Sequence, residues 1–395
     1  MTRALYFENG TQLGFVSEVV AHGSGEIALA STAFYPEGGG QRGDSGWLRW
    51  NGGEVQVTDT RKNKVSGEIW HVVNGELPPI GTAISGEIDA KRRWRHMQRH
   101  SGEHLLAQAF QRVNPAFQVA AVSMNSPECH LDLKGDPAEA DVRAAETLLR
   151  EALGRDELTL TTPIVPEAEL GKYPLRRETK VTGQVRLVIF KDSQGHYFDV
   201  SACGGTHVPR AAMCAPVVVL RSERIKGGLT RVTFMAGEEA GEFLGSVYCD
   251  ARALGQKFSV PVERLTEKVE TLDAERQSLK RELDEARTAL ARVTVQAAPV
   301  QHLGHLSVRL VAVADSVLLQ PALTTTHDAD VLVCLAPDGR CGVASASAAL
   351  HAGTLLREVL TLTGGKGGGK ADLAQGRTPE PAEFFDVLQT HLKTS

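Results

Sequence analysis

Hydrophobic and polar positions alternate over residues 1–90, where short apolar runs are separated by turns rich in Gly, Asn and Pro. Alternation with a two-residue period is typical of strands that bury one face. The runs cover residues 14–20, 26–31, 46–50, 54–58, 68–73 and 84–88. Their even spacing predicts a small sheet or β-barrel.

The period changes at residue 91. The segment 91–113 has a basic beginning, carries apolar residues at helical spacing from Leu105 to Phe110, and lacks Pro, which predicts a helix. A second amphipathic helix is expected at 136–154. Strand-like runs follow at 158–164, 185–190, 217–220 and 230–235. Residues 91–257 are therefore expected to form an α+β domain.

A heptad pattern follows Pro261. Its apolar residues hold two heptad positions, the first with Val262, Val269, Leu283 and Leu290 and the second with Leu265, Leu272, Leu279, Ala286 and Val293. Arg276 interrupts the first series. The pattern predicts a coiled coil or helical hairpin arm over residues 258–297, and a long helix packed on its own domain is the alternative.

Residues 298–395 read as a separate, small α/β domain at the C-terminus. Strands are expected at 308–314 and 331–336, helices at 345–361 and 381–392, and a glycine-rich loop between the helices. The chain as a whole is thus predicted to be α+β.

Composition narrows the function classes. A chain of 395 residues with 42% apolar and 23% charged residues is an ordinary globular protein, not a disordered or fibrous one. No apolar run approaches the roughly 20 residues of a membrane span, and the N-terminus lacks a secretory signal, so we expect a cytoplasmic protein without a membrane partner. The formal charge of −5 restricts any nucleic-acid contact to a local basic patch.

Two residue pairs could hold a metal. His100 and His104 lie one helical turn apart on the same face, and Cys203 and His207 flank a glycine turn. Three imidazoles and one thiolate suit zinc. Four protein ligands would close a structural site, whereas three would leave a position for water or substrate.

The order His100-x-x-Glu103-His104 also matches the inverzincin peptidase pattern, with Glu103 as general base. Such a site usually takes a further carboxylate ligand, whereas the distant ligands here are Cys203 and His207. The peptidase interpretation is therefore the weaker alternative.

Four motifs, taken in their order along the chain, resemble those of a known protein family. They are the glycine-rich element from Phe34 to Gly46, His100-Ser101-Gly102-Glu103-His104-Leu105-Leu106, the turn from Cys203 to Val208, and the glycine-rich stretch from Gly364 to Gly376. Together they resemble the editing domain of alanyl-tRNA synthetase, its free-standing AlaX relatives, and the synthetase's DHHA1-type C-terminal domain. With no room for an adenylation domain ahead of Met1, the chain looks like the long class of AlaX.

The resemblance implies a Zn²⁺-dependent deacylase that acts in trans on tRNA(Ala) mischarged with serine, and with glycine as a second substrate. It implies that His100, His104, Cys203 and His207 bind zinc, and that Gln41 reaches the same pocket. Gln41 and Thr206 are our candidates for recognising the serine hydroxyl. A tRNA-binding protein with a purely structural zinc is the alternative from another class.

The tRNA-binding residues are expected in basic segments. Arg92, Arg93 and Arg95 precede the predicted zinc ligands of the helix, and Lys366 and Lys370 lie in the C-terminal glycine-rich stretch. That stretch could equally be a flexible lid. A homodimer through the C-terminal region is compatible with the heptads, although Arg276 at a core position disfavours a tight pair without a carboxylate partner.

Overall fold

The computed structural model describes residues 2–63, 65–155, 157–348 and 350–394. The chain divides into two compact units, Met1–Ala251 and Arg252–Ser395. The finer division at residues 90, 257 and 297 stays a prediction. All six cysteines are free thiols. Within the described residues, no helix combines the length and the apolar character needed to cross a bilayer.

A closed six-stranded barrel occupies the N-terminal part of the first unit and confirms the alternating pattern. The elements of this region are β1 (Arg3–Ala4), β2 (Gly14–His22), β3 (Glu26–Leu29), β4 (Ser31–Thr32), β5 (Gly46–Trp50), β6 (Gly53–Lys62), β7 (Ile69–Asn74) and β8 (Ala83–Ile88). The barrel runs in the order β2-β3-β7-β6-β5-β8, while β1 and β4 form a parallel pair. Alternate residues such as Ile84 and Ile88 point into its core.

Helices and two antiparallel sheets make up the rest of this unit. The elements are α1 (Ala90–Val113), β9 (Val119–Ser123), β10 (Cys129–Lys134), α2 (Glu139–Arg155), β11 (Thr159–Thr161), β12 (Ile164–Pro166), β13 (Gln184–Lys191), β14 (Tyr197–Ala202), β15 (Val217–Ile225), β16 (Leu229–Ala236) and α3 (Gly237–Phe258). One sheet has the order β15-β16-β10-β9. In the other, β13 pairs with β11, β12 and β14.

Helix α1 confirms the predicted helix and is the centre of this region. Asp89 caps its first turn by accepting a hydrogen bond from the Arg92 amide. Its C-terminal half packs Leu105, Leu106 and Phe110 into the largest core, which also contains residues of α2, β10 and β16. The helix is buried over most of its surface although many of its residues are polar or charged. Such burial requires specific partners for those groups.

Sequence analysis misplaced or missed several elements here. The predicted strand 158–164 is two short strands, β11 and β12. Strands β9, β10 and β14 were not predicted. In β14 the polar residues Asp199 and Ser201 are buried next to Phe198 and Val200, so the strand lacks the alternation that identifies a half-buried strand.

The second unit is a six-stranded sheet covered by helices. Its elements are α4 (Leu265–Ala297), β17 (Val300–Leu303), β18 (Leu306–Ala312), α5 (Leu319–Leu323), β19 (Val331–Leu335), β20 (Arg340–Ser345), α6 (Ala352–Leu362), β21 (Lys366–Gly369), β22 (Leu373–Arg377) and α7 (Pro381–Thr394). The sheet order is β17-β18-β19-β20-β22-β21. Val331 and Val333 pack towards α6 and α7, whereas Leu332 and Cys334 pack towards α5 and the end of α4.

Two expectations for this unit need correction. The predicted helix 345–361 begins only at Ala352, because residues up to Ser345 form β20 and His351 caps the helix. The glycine-rich stretch is not a loop, since β21 and β22 pair as an antiparallel hairpin. Its glycines allow the two strands and α6 to approach closely. A Cβ at Gly376 would lie 2.4 Å from Leu360 Cδ1 and 2.9 Å from Gly367 Cα.

Helix α4 confirms a long helix, and 33 residues correspond to about 50 Å. Its last turns pack Ala291 and Val295 against the sheet, as the packed-helix alternative requires. The heptad residues Leu279 and Leu283 are exposed, and Arg276 pairs with Asp273 on the same helix. The coiled coil and the homodimer therefore stay predictions. Short 3₁₀ helices cover Leu5–Phe7, Glu167–Lys172, Ala211–Cys214, Val262–Arg264 and Ser316–Leu318.

Candidate metal centre

The four predicted ligands come from two places in the first unit. His100 and His104 lie on the buried part of α1, and Cys203 and His207 lie on the turn that follows β14. The sequence fits the turn to the helix through Gly205. A Cβ at this position would lie 2.1 Å from His100 Cε1, so only glycine permits the approach. The reason for glycine is thus close contact rather than a positive φ angle.

The side chains of these four residues converge. Cys203 Sγ lies 3.4 Å from His100 Nε2 and 3.6 Å from His207 Nε2. All four potential ligand atoms lie within 4.8 Å of one another. Zinc bond lengths of about 2.0–2.1 Å to nitrogen and about 2.3 Å to sulfur place tetrahedral ligands roughly 3.3–3.6 Å apart. The cluster therefore fits a tetrahedral metal ion with three nitrogen ligands and one sulfur ligand.

The charges around Cys203 favour its thiolate, which is the form that binds a metal. Burial alone would raise the pKa of Cys203, but the neighbouring His100 and His104 outweigh it and hold that pKa well below its usual range. Burial also lowers the pKa of His207 well below its usual range, with the charge of His100 adding to the effect. A thiolate and a neutral imidazole are the forms that bind a metal.

Hydrogen bonds fix which nitrogen of each α1 histidine faces the cluster. His100 Nδ1–H donates to Gln41 Oε1 at 2.7 Å, and His104 Nδ1–H donates to the carboxylate of Asp199 at 3.0 Å. Both acceptors are oxygens without a proton, so Nδ1 carries the hydrogen and Nε2 is the nitrogen that faces the cluster. This is the usual support of a metal-binding histidine. Ser101 Oγ lies 3.3 Å from His207 Nδ1.

Gln41 and Thr206, the candidates for hydroxyl recognition, contact each other beside the cluster. Gln41 Nε2 donates to Thr206 Oγ1 at 2.9 Å, and both residues are almost completely buried. Because the other end of the Gln41 amide accepts from His100, both of its polar atoms are occupied. Neither residue lines the cavity in front of the cluster. Recognition of the serine hydroxyl by this pair stays a prediction, and the contact that the structure shows is the one by which Gln41 orients His100.

Asp199 supports His104 and was not predicted from the sequence. The Asp199 carboxylate accepts from His104, from Arg176 Nε at 3.0 Å and from Ser201 Oγ at 3.1 Å. Burial would raise the pKa of Asp199, but Arg176 and His104 outweigh it and lower that pKa. An aspartate in an apolar strand, four residues before Cys203, was the available signal.

A cavity of about 470 Å³ opens onto the cluster. His100, Glu103, His104 and Cys203 line it from one side, and Val119, Val122, Arg177 and Lys180 contribute elsewhere. His207 is not among its lining residues. Glu103 thus reaches the cavity, as the peptidase interpretation requires. The expected carboxylate ligand is replaced by Cys203, which disfavours that interpretation.

The arginines predicted to bind tRNA differ in how accessible their side chains are. Arg93 is buried, forms a salt bridge with Asp44 and donates to the carbonyls of Gly10 and Ala33, so it cannot reach RNA; that prediction is wrong. Instead it joins α1 to the glycine-rich element. Arg92 and Arg95 line a separate cavity at the beginning of α1. Lys366 and Lys370 are exposed on the β21–β22 hairpin.

Three family models match parts of this chain. They describe class II (A) tRNA synthetases over residues 6–92, the second additional domain of threonyl- and alanyl-tRNA synthetases over residues 185–233, and the DHHA1 domain over residues 313–394. The second match contains the turn from Cys203 to His207 and thus both of its candidate ligands.

Curated relatives match almost the whole chain. The alanine–tRNA ligase of Thermococcus kodakarensis is 31% identical over 98% of this chain, and that of Methanopyrus kandleri is 30% identical over 96%. The chain spans only 43% of the length of each of these relatives. The C-Ala domain of Aquifex aeolicus alanyl-tRNA synthetase matches 24% of the chain and 98% of its own length at 22% identity, with a TM-score of 0.21 that carries no weight for the fold.

The glycine-rich element, the four convergent ligands and the DHHA1 match thus agree with one another and with these relatives. The chain is related to the alanyl-tRNA synthetases along almost its whole length, and its motifs resemble those of their AlaX-like relatives.

Proposed function

We propose that this protein hydrolyses the ester of tRNA(Ala) mischarged with serine, and also with glycine, and that it acts in trans. The observation that supports this proposal most is the convergence of His100, His104, Cys203 and His207 at a cavity. Relatives named as alanine–tRNA ligases support the choice of tRNA. The cavity is large enough for an aminoacyl group and the terminal ribose, since small-ligand pockets begin at about 300 Å³.

The donor set favours zinc as the bound metal. Three nitrogens and one thiolate match the ligands that zinc prefers, and none of the four residues offers a hard oxygen ligand. Zinc would supply a Lewis acid that activates water or polarises the ester carbonyl. The chain's own contribution is orientation. Gln41 and Asp199 hold the two α1 histidines, and the apolar side chains of Val119 and Val122 limit water in the cavity.

The tRNA phosphates are proposed to contact Arg92 and Arg95. These residues line a cavity of about 360 Å³ together with Arg42, Lys91, His96 and Arg99. Arg92 donates to the Gly43 carbonyl, and Arg95 pairs with Glu242 at 2.7 Å. Their remaining N–H groups are proposed to bind phosphate oxygens. In the second unit, Lys366 and Lys370 are proposed to do the same.

A non-catalytic tRNA-binding protein with a structural zinc is the second candidate. It is favoured by the number of ligands, since four protein side chains within 4.8 Å can fill a tetrahedral shell. Catalysis requires that water or substrate also reaches the metal from the cavity. Cys203 is partly exposed and lines the cavity, whereas His207 is buried and does not line it.

Incubation of the zinc-loaded protein with seryl-, glycyl- and alanyl-tRNA(Ala) separates the two candidates. Our proposal predicts release of serine and glycine and sparing of alanine. Cys203→Ala should abolish release because it removes one of the four proposed zinc ligands. It should leave tRNA affinity unchanged. The exposed Cys249→Ala is the matched control and should retain activity. Absence of any release by the wild-type protein, with tRNA binding intact, would support the structural zinc.

A further inference from the structure

Glu103 is a largely buried side chain whose carboxylate accepts no hydrogen bond from the described residues. It is 3% exposed and lines the cavity in front of the metal cluster. Oε2 lies 3.7 Å from His104 Nε2, and Oε1 lies 3.9 Å from Arg176 Nη1. Both distances exceed hydrogen-bond length. The carboxylate lines the cavity, so a ligand that carries a hydrogen-bond donor can reach it from there.

The other acidic residues near the cavity are already occupied or exposed. Asp199 is fully buried and accepts from His104, Arg176 and Ser201. Glu178 lines the cavity but is exposed to solvent. Glu103 is thus the buried carboxylate of this cavity, within the described residues, whose acceptor capacity is unused.

The proposed substrate carries a cation at the required place. An aminoacyl ester has an α-amino group, and this nitrogen lies only about 2.5 Å from the ester carbonyl carbon. An ester carbonyl at the metal cluster therefore brings the α-ammonium into reach of a carboxylate that lies 3.7 Å from His104 Nε2.

The charge balance points the same way. Arg176 Nε pairs with Asp199 at 3.0 Å, and Arg176 Nη1 lies 3.9 Å from Glu103 Oε1, so Glu103 has no cationic side chain at hydrogen-bond distance among the described residues. An α-ammonium group that enters the cavity would supply such a cation. Attraction at this distance in a poorly solvated cavity is considerable.

We propose that Glu103 determines specificity by accepting a charged hydrogen bond from the α-ammonium group of the aminoacyl ester. This inference rests on the proposed function. Under this proposal the cavity binds aminoacyl esters whose α-amino group is free, and it does not bind esters whose α-amino group is acylated. A role as general base would instead make Glu103 equally important for both kinds of ester.

The test uses a non-hydrolysable analogue, 3′-seryl-amido-3′-deoxyadenosine, and its N-acetyl derivative, with the zinc-loaded protein. Calorimetry should show that the wild type binds the free amine about 10–100-fold more tightly, the range expected for a hydrogen bond between charged groups. Glu103→Gln should remove this preference, and Glu103→Asp should restore part of it. Glu178→Gln is the control and should keep the preference. Circular dichroism and zinc content should be unchanged in all variants.

Hydrolysis of seryl-tRNA(Ala) and N-acetylseryl-tRNA(Ala) completes the experiment. We expect Glu103→Gln to lower kcat/KM for the free amine only. An equal loss for both esters, or a wild type that binds both analogues equally, would overturn the assignment of Glu103. A wild type that releases no serine from tRNA would overturn the proposed function instead.

Discussion

Single side chains decide whether the four ligands form one site. Gly205 lets the turn approach His100, and Gln41 and Asp199 determine which imidazole nitrogen faces the cluster. The spacing of His100 and His104 made the ligands predictable, because residues four apart share a helix face. Helical spacing could not predict the supporting residues, since Gln41 reaches His100 across a sequence separation of 59 residues and was expected there only from the resemblance.

Gln41→Ala should weaken metal binding. Loss of the acceptor for His100 Nδ1–H leaves the imidazole free to rotate and to change tautomer, and comparable changes lower metal affinity about 10–100-fold. Competition with a coloured zinc chelator measures the effect. Gln118→Ala, at an exposed position, should bind zinc like the wild type. Unchanged affinity of Gln41→Ala would show that its hydrogen bond does not support the site.

His71 should make the barrel sensitive to acid. It is fully buried, accepts from the Thr32 hydroxyl and donates to the Ile27 carbonyl. Burial lowers its pKa to about 4. Because the unfolded chain binds the proton near pH 6.5, stability should be constant above that pH and should fall from pH 6.5 towards 4. At pH 5 the loss is about 2 kcal/mol.

Urea unfolding followed by the fluorescence of the barrel tryptophans measures this dependence. His71→Asn keeps a donor for the carbonyl but cannot be protonated, so its stability should depend less on pH between 6.5 and 4. Parallel curves for the two proteins would contradict the assignment to His71.

At the scale of elements, hydrophobic periodicity predicted helices and strands with a regular apolar pattern. It failed for strands in which polar side chains are buried. The barrel strands, α1 and α4 were predicted because their patterns are regular. Strand β14 was missed because Asp199 and Ser201 interrupt its apolar pattern; Ser201 donates to Asp199, which accepts from His104. The β21–β22 hairpin was missed because glycine normally indicates a loop.

The hairpin offers a matched pair of glycines. Gly376→Ala should destabilise the second unit by about 1–3 kcal/mol, because the new Cβ would overlap Leu360 and the backbone of β21. Gly368→Ala should have little effect, since a Cβ there has no neighbour within 4 Å. Thermal unfolding monitored by circular dichroism compares the two variants. Equal stability of both would show that the stretch is a loose loop.

At the scale of the whole molecule, function depends on local charge rather than on net charge. The formal charge of −5 gives no general attraction for RNA, so the proposed tRNA affinity must come from a few accessible basic residues. The burial of each basic side chain determines whether RNA can reach it. Arg93 could not be distinguished from Arg92 by sequence, and only the fold shows that Arg93 serves the joint between α1 and the glycine-rich element.

The C-terminal lysines give a prediction at this scale. Lys366→Ala and Lys370→Ala together should weaken tRNA(Ala) binding and reduce the slope of log affinity against log salt by about one per lost phosphate contact. Filter binding over a range of salt concentrations measures both quantities. Lys62→Ala, an exposed lysine of the barrel, should change neither. Affinity and slope that remain at wild-type values in the double variant would remove the hairpin from the proposed RNA contacts.

The central claim is that His100, His104, Cys203 and His207 bind one zinc ion together. Zinc K-edge X-ray absorption of the purified protein tests this claim most directly. We predict one zinc per chain, with nitrogen neighbours at about 2.0–2.1 Å and one sulfur at about 2.3 Å that disappears in Cys203→Ala. A wild-type spectrum without a sulfur neighbour, or a protein that binds no zinc, would contradict the account.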